Sequence, residues 1–405
     1  MTEENIEDFN NLDNYELKDS DTPCKKIKIF ITIISVTLIL ATVLIILFFI
    51  LKDNKDDNKI KQFSDIDIID YSFIAEYYSD GKYTTKLIAN DYLTNINELI
   101  IDGKITKPYS QYKFNSTGIH RVYFKMNISN LTSLVGMFCN IHNVTLISFS
   151  SLFNTENITA MTGMFAYCYK LTSLDVSNFN TKKVTSMFIM FTSCYSLTSL
   201  NVSNFNTENV KDMSSMFSYL ISLTSLDLSN FKTPNLEKML LTFSGCEKLT
   251  SLDLSSFNTT KLLTLESTFY GCSSLETINL SSFNTPNLKK MANMFYQCYS
   301  LKSIDLSSFN TTNLLNLNRL FYQCISLTSI NLKNFNISAR NGFSGEYFKG
   351  CKNITYIDIS SFWTSESELI LFDQLPSKGE IIVNSILIDN IRNHIPDEWN
   401  ITVIE

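Results

Sequence analysis

The chain has little of what catalysis, metal binding or nucleic-acid contact usually requires. Its 405 residues include three histidines, His120, His142 and His394, too scattered to form a metal or nucleophile–base cluster. Charge is also scarce, at 18% of residues with a net charge of −7. Residues 1–26 hold eight acids against three lysines, so the remainder is close to neutral and shows no basic stripe along the chain. That argues against a nucleic-acid partner. No acid/base, nucleophile or metal constellation appears, so the sequence implies neither an enzyme nor a cofactor. With 44% hydrophobic residues, most of the chain is nevertheless expected to fold.

What is present is a repeat. A leucine returns every 26 residues at Leu171, Leu197, Leu223, Leu249, Leu275, Leu301 and Leu327, with Val144 before and Ile354 after, each displaced by one residue. Such periodicity marks a solenoid. Each copy has two halves. In the first, Leu171, Leu174 and Val176 follow a leucine-rich pattern, and the residues two apart share the inner face of a short strand. In the second, Val184, Met187, Phe191 and Cys194 have helical spacing. Thr181 precedes it, with Thr155, Thr207, Thr233, Thr259, Thr285 and Thr311 in the same slot, as helix caps would. Pro234 and Pro286 then suit a first helical position. The expectation is an α/β solenoid of strand, turn, capped short helix and return. Helices pack ~8–10 Å apart and strands ~4.8 Å, so the stack should curve with its strands on the concave wall.

The motif L-x-x-L-D-L-S-x-F-N-T-x-x-V-x-x-M-x-x-M-F-x-x-C resembles the BspA-like leucine-rich repeat surface proteins. It is carried by Met216-Phe217, Ser229-Asn230-Phe231 and Met294 to Cys298, and the resemblance covers roughly residues 130–362. It implies a cell-surface protein that adheres to host or neighbouring-cell components.

In chain order, residues 1–26 have the composition of a disordered acidic tail. Residues 27–51 read as a signal anchor, because Ile29–Leu51 is 23 residues without a charge, enough to span a bilayer. The long acidic leader and the lack of a small-residue cleavage site disfavour a cleaved signal peptide. Lysines flank both ends, so charge does not orient the anchor. All twelve N-glycosylation sequons lie beyond it, at Asn115, Asn127, Asn130, Asn143, Asn157, Asn201, Asn258, Asn279, Asn310, Asn336, Asn353 and Asn400. With the surface resemblance, this places the N-terminus inside and the repeats outside the plasma membrane. Residues 52–64 form a charged spacer. Residues 65–126 read as a small β-rich module that caps the first turn, with a hairpin turning at Gly81. The repeats occupy 127–362, with 340–348 as an irregular return, and 363–405 form a C-terminal cap containing Trp399.

Three columns of residues are candidates for function. Asp175, Asn201, Asp227, Asp253, Asn279, Asp305, Asn331 and Asp358 line the strand face, either as a solvated polar wall or as a cation array. Tyr270, Tyr296 and Tyr322 form an outer stripe, either a contact surface or a lid over grooves. Cys168, Cys194, Cys246, Cys272, Cys298, Cys324 and Cys351 share a slot with Leu220 and Ile141, which favours buried thiols over disulfides or metal ligands. Cys24, beside the anchor, is either acylated or unmodified. The expected function is recognition of an extracellular protein or glycan, and a structural surface coat without a specific ligand is the other reading.

Overall fold

Two tandem β-turns occupy the segment of each repeat that has helical spacing. The computed structural model describes residues 71–337, 346–360, 363–364 and 375–404. All belong to the second of two units, Met1–Asp67 and Ile68–Glu405. The acidic tail, the apolar run, the spacer, Cys24 and most of the 340–348 return lie outside the described residues.

The module comprises β1 (Phe73–Asp80), β2 (Thr85–Lys86), β3 (Ile96–Ile101), β4 (Lys104–Thr106), β5 (Gln111–Tyr112) and β6 (Thr117–Met126). The hairpin expected at Gly81 does not form. β1 instead pairs antiparallel with β6, placing Phe73 opposite Phe124, and β2 pairs with β5. Asp80 Oδ1 accepts the N–H groups of Lys82 and Tyr83, which turns the chain out of the ladder. The distant pairing buries Phe73, Val122 and Phe124 completely. A longer closed loop adds little entropic cost beside that gain. β1 also pairs with β7 (Val144–Phe149), which pairs in parallel with β8 (Ser173–Asp175). One six-stranded sheet therefore runs from the module into the repeats.

Parallel rungs follow. β9 (Ser251–Asp253) pairs with β10 (Thr277–Asn279), and β11 (Ser303–Asp305) pairs with β12 (Ser329–Asn331). A minor pair joins β13 (Asn336–Ile337) to β15 (Trp363–Thr364), flanking β14 (Tyr356–Ile359) in sequence. The C-terminal cap adds β16 (Lys378–Asn384), a single-turn α1 (Ile388–Ile391) and β17 (Glu398–Ile404). β12, β14, β16 and β17 pair in parallel, so the cap is two further rungs of the same sheet.

Among the described residues, the capped helix expected in each repeat is absent. Met190 N–H donates to Met187 C=O at 3.2 Å and Cys194 N–H to Phe191 C=O at 3.3 Å, closing two consecutive four-residue turns. Their third residues, Ile189 and Ser193, have φ of 50° and 59°. Left-handed residues at both places end any α-helix. The same two columns hold Ser215 and Tyr219, Leu241 and Gly245, and Ser267 and Gly271, all with positive φ. Two such turns point Met187, Met190, Phe191 and Cys194 inward, and all four are fully buried. That spacing of three, one and three is also the face of a helix, which is why periodicity alone suggested one.

Stacking satisfies the backbone of this side. Met187, Ile189, Phe191 and Ser193 donate to the carbonyls of Asp212, Ser214, Met216 and Ser218 at 2.9–3.0 Å. Successive turns are therefore held at hydrogen-bond spacing on the turn side as on the strand side, so the difference in spacing from which curvature was expected is missing. The threonines are not helix caps either. Thr207 Oγ1 donates to Lys232 C=O of the next turn at 2.8 Å, and its neighbours in the column bond likewise. Inside, rings lie in register: Phe165 on Phe191 at 5.7 Å and Phe243 on Phe269 at 5.5 Å, both almost parallel.

Candidate functional site

The polar strand face arises from alternation along each short strand. In β8, Ser173 and Asp175 are exposed while the next residue, Val176, is buried. Of the eight Asp/Asn positions, Asp175, Asn201, Asp227, Asp253, Asn279 and Asp305 are exposed, and Asn331 and Asp358 are half-buried. The structure thus brings all eight into one column. Asp253 lies opposite Asn279, and Asn331 lies between Asp305 and Asp358.

Each of these side chains has a structural task. Oδ1 accepts the backbone N–H two residues on: Ser177, Ser203, Ser229, Ser255, Ser281, Ser307, Lys333 and Ser360, at 2.9–3.1 Å. This Asx turn carries the chain out of the strand, and Asp and Asn serve it equally because both supply Oδ1. The turns also fix the side chains in a repeated orientation. The Ser229 N–H, followed by the Ser229 hydroxyl, holds the Asp227 carboxyl below its usual value. Ser255 does the same for Asp253, with a smaller contribution from the Asn279 side chain. The result is a preorganised row of anionic and amide groups. Among the described residues, no three His, Cys, Asp or Glu side chains converge as a metal-binding group.

The tyrosine column is occupied by its own members. Tyr270 stacks on Tyr296 at 4.7 Å, and Tyr296 on Tyr322 at 4.6 Å, with ring planes 5° and 3° apart. All three are half-buried. The stack covers both faces of Tyr296 and one face each of Tyr270 and Tyr322. Lys349 Nζ lies 5.7 Å from the Tyr322 centroid at the end of the column.

The in-register cysteines are buried thiols. Each Sγ donates to a phenylalanine carbonyl one turn back, as Cys272 to Phe243 and Cys298 to Phe269, both at 3.1 Å. Rungs ~4.8 Å apart place neighbouring Cα atoms of this column within disulfide reach. What keeps them thiols here is the bond to the carbonyl, together with burial. Burial pushes Cys194 and Cys246 up to about 12. Off that column, Cys139 Sγ accepts a bond from Asn140 Nδ2 at 3.5 Å.

Among the sequons, Asn115, Asn127, Asn130, Asn157, Asn201, Asn258, Asn279, Asn353 and Asn400 are exposed, and Asn143 and Asn310 are half-buried. Asn258 and Asn310 bind the hydroxyls of Thr260 and Thr312, and Asn353 donates to the Ile325 carbonyl at 2.7 Å. Sequence reading missed a second charged surface. Stacking gathers Lys182, Lys183, Lys211, Lys261 and Lys289 at the corner between strand and turns, all exposed. A search for basic runs cannot find this, since only the 26-residue period joins them; plotting charge by slot in the repeat would.

Stacked in-register turns, leucines inside and an exposed polar strand row define a solenoid repeat protein, a class whose surfaces commonly serve in binding. The chain belongs to the family described as "Mycoplasma protein of unknown function, DUF285", whose model matches residues 110–201, 132–252 and 239–362. No curated protein matches the chain. Among solved structures it is similar to an internalin (inlF) from Listeria monocytogenes, at 14% identity over 64% of this chain and 82% of that one, with a TM-score of 0.22. It is also similar to TLR13 in a TLR13–ssRNA13 complex, at 15% identity over 62% of this chain, with a TM-score of 0.25. The aligned region spans 50% of that TLR13 chain.

Proposed function

We propose that the chain is a single-pass, membrane-anchored surface protein whose solenoid recognises an extracellular protein or glycan and carries out no catalysis. The observation that carries this reading is the strand face, where Asx turns hold exposed carboxylate and amide groups at six successive rungs, Asp175 to Asp305. Groups fixed before binding lose less entropy when a partner docks. The face offers hydrogen bonds and negative charge but few apolar anchors, which suits multivalent contact with a basic or hydroxyl-rich ligand. The uncharged run Ile29–Leu51 and the position of the sequons support the anchored topology, and the BspA-like motif supports a surface location.

The test uses cells that display the full chain. Asp227→Asn with Asp253→Asn keeps both Asx turns and removes two charges, and it should reduce capture of neighbouring-cell surface material severalfold. Tyr270→Ala with Tyr296→Ala should leave capture intact. If the tyrosine pair abolishes capture and the aspartate pair does not, the strand-face reading fails. External protease should remove the repeats of intact cells and spare a tag at residue 1; the converse pattern reverses the topology.

A further inference from the structure

Two surfaces of the solenoid carry opposite charge. On the strand face, Asp175, Asp227, Asp253 and Asp305 are exposed. The nearby Glu276 is already paired with Lys302. The corner presents the five exposed lysines, Lys182, Lys183, Lys211, Lys261 and Lys289. Lys183 and Lys261 bond only to neutral amide oxygens, Asn157 Oδ1 at 3.0 Å and Asn235 Oδ1 at 2.7 Å, so their charge is not cancelled. Acids near the corner are fewer. Glu156, one period before Lys182, and Glu208 are exposed, Glu237 is half-buried, and half-buried Asp212 faces Lys238 at 3.6 Å.

We propose that the partner of the strand face is a second copy of this chain, its lysine corner docked on the aspartate row. The proposal rests on the reading of that face as a docking surface. Both surfaces belong to the same hydrogen-bonded stack and advance by the same rise per turn, ~4.8 Å. Two copies laid side by side are therefore commensurate, and a shift of two rungs sets the rungs of Lys183, Lys211 and Lys261 against those of Asp227, Asp253 and Asp305. A globular partner has no such repeat to match. The contact joins different faces, so each copy keeps one unused aspartate row or lysine corner and rows form in place of closed pairs. Lateral rows of this kind would build a surface coat.

Sedimentation of the full chain in a nonionic detergent tests this, using two variants. The first neutralises the acids (Asp175→Asn, Asp227→Asn, Asp253→Asn, Asp305→Asn) and keeps every Asx turn. The second neutralises the corner (Lys182→Gln, Lys183→Gln, Lys211→Gln, Lys261→Gln, Lys289→Gln). The unaltered chain should associate in a concentration-dependent way and lose at least tenfold in affinity on raising salt from about 50 mM to about 500 mM, as screened charge pairs do. Each variant alone should stay single, and an equimolar mixture should form pairs and stop there, since each supplies one intact face. An unaltered chain that stays single at low salt, or a mixture that does not pair, overturns self-docking. An acid-face variant that still associates also overturns it, and points to an anionic glycan bridging the lysine corners. If the unaltered chain stays single while the aspartate variant still loses ligand capture, self-docking alone fails. If the aspartate variant keeps both, the strand-face reading fails with it.

Discussion

Thr181 Oγ1 grips both backbone groups of a single residue one turn on, donating to Asn206 C=O at 2.9 Å and accepting Asn206 N–H at 2.7 Å. Thr155, Thr233, Thr259 and Thr285 make the same pair of hydrogen bonds to Asn180, Asn258, Asn284 and Asn310. The hydroxyl ties adjacent turns together where the strand has ended and no ladder can do so.

Thr181→Val keeps the shape and deletes both bonds. It should destabilise the protein by about 1–3 kcal/mol, the cost of leaving buried polar groups unpaired. Thr181→Ser should recover most of the loss. Denaturant unfolding monitored by circular dichroism measures both, and equal losses for Val and Ser would remove the hydroxyl from the explanation.

Two glycines in the left-handed column separate backbone strain from collision. At Gly271, φ is 69° and an added Cβ meets nothing closer than 3.9 Å, so Gly271→Ala should cost about 1–2 kcal/mol from conformation alone. At Gly245, φ is 71° and the new Cβ would lie 2.6 Å from the Tyr219 ring. Gly245→Ala should therefore cost distinctly more, and unfolding midpoints of the two variants give the comparison.

The buried thiols set an alkaline limit. For Cys194 and Cys246, burial raises the folded value from 9.0 to about 12, because the thiolate would sit in an apolar core. A raised folded value means stability present below pH 9 and lost as pH climbs towards 12. The melting temperature should fall across that window. Site-resolved alkylation at neutral pH should spare these cysteines until the protein unfolds, and rapid labelling of the native protein would contradict the burial.

Tyr296 has a ring on either face, so Tyr296→Ala removes two stacks and opens a gap between Tyr270 and Tyr322. The expected loss is about 2 kcal/mol of stability, from two ring contacts of about 0.5–1.5 kcal/mol each. Tyr296→Phe keeps the faces and should be close to neutral in the same unfolding measurement.

By itself the sequence determined the period, the buried slots and the polar row. A solenoid places the same slot at a similar depth in every turn, so a column that accepts Cys, Leu220 and Ile141 has to be apolar inside, and one that holds only Asp and Asn from Asp175 to Asp358 has to face water. The tertiary structure decided the local conformation. Tandem turns and a helix bury the same spacing of residues, and only the left-handed Ile189 and Ser193, whose N–H groups bond to the following turn, separate the two. Glycine returning in these columns, at Gly136, Gly163, Gly245, Gly271 and Gly350, was a trace of this in the chain. The tasks of Thr181, Cys272 and the corner lysines were hidden for the same physical reason. Their partners lie a full turn away, and no local pattern states which atoms a neighbouring turn will present.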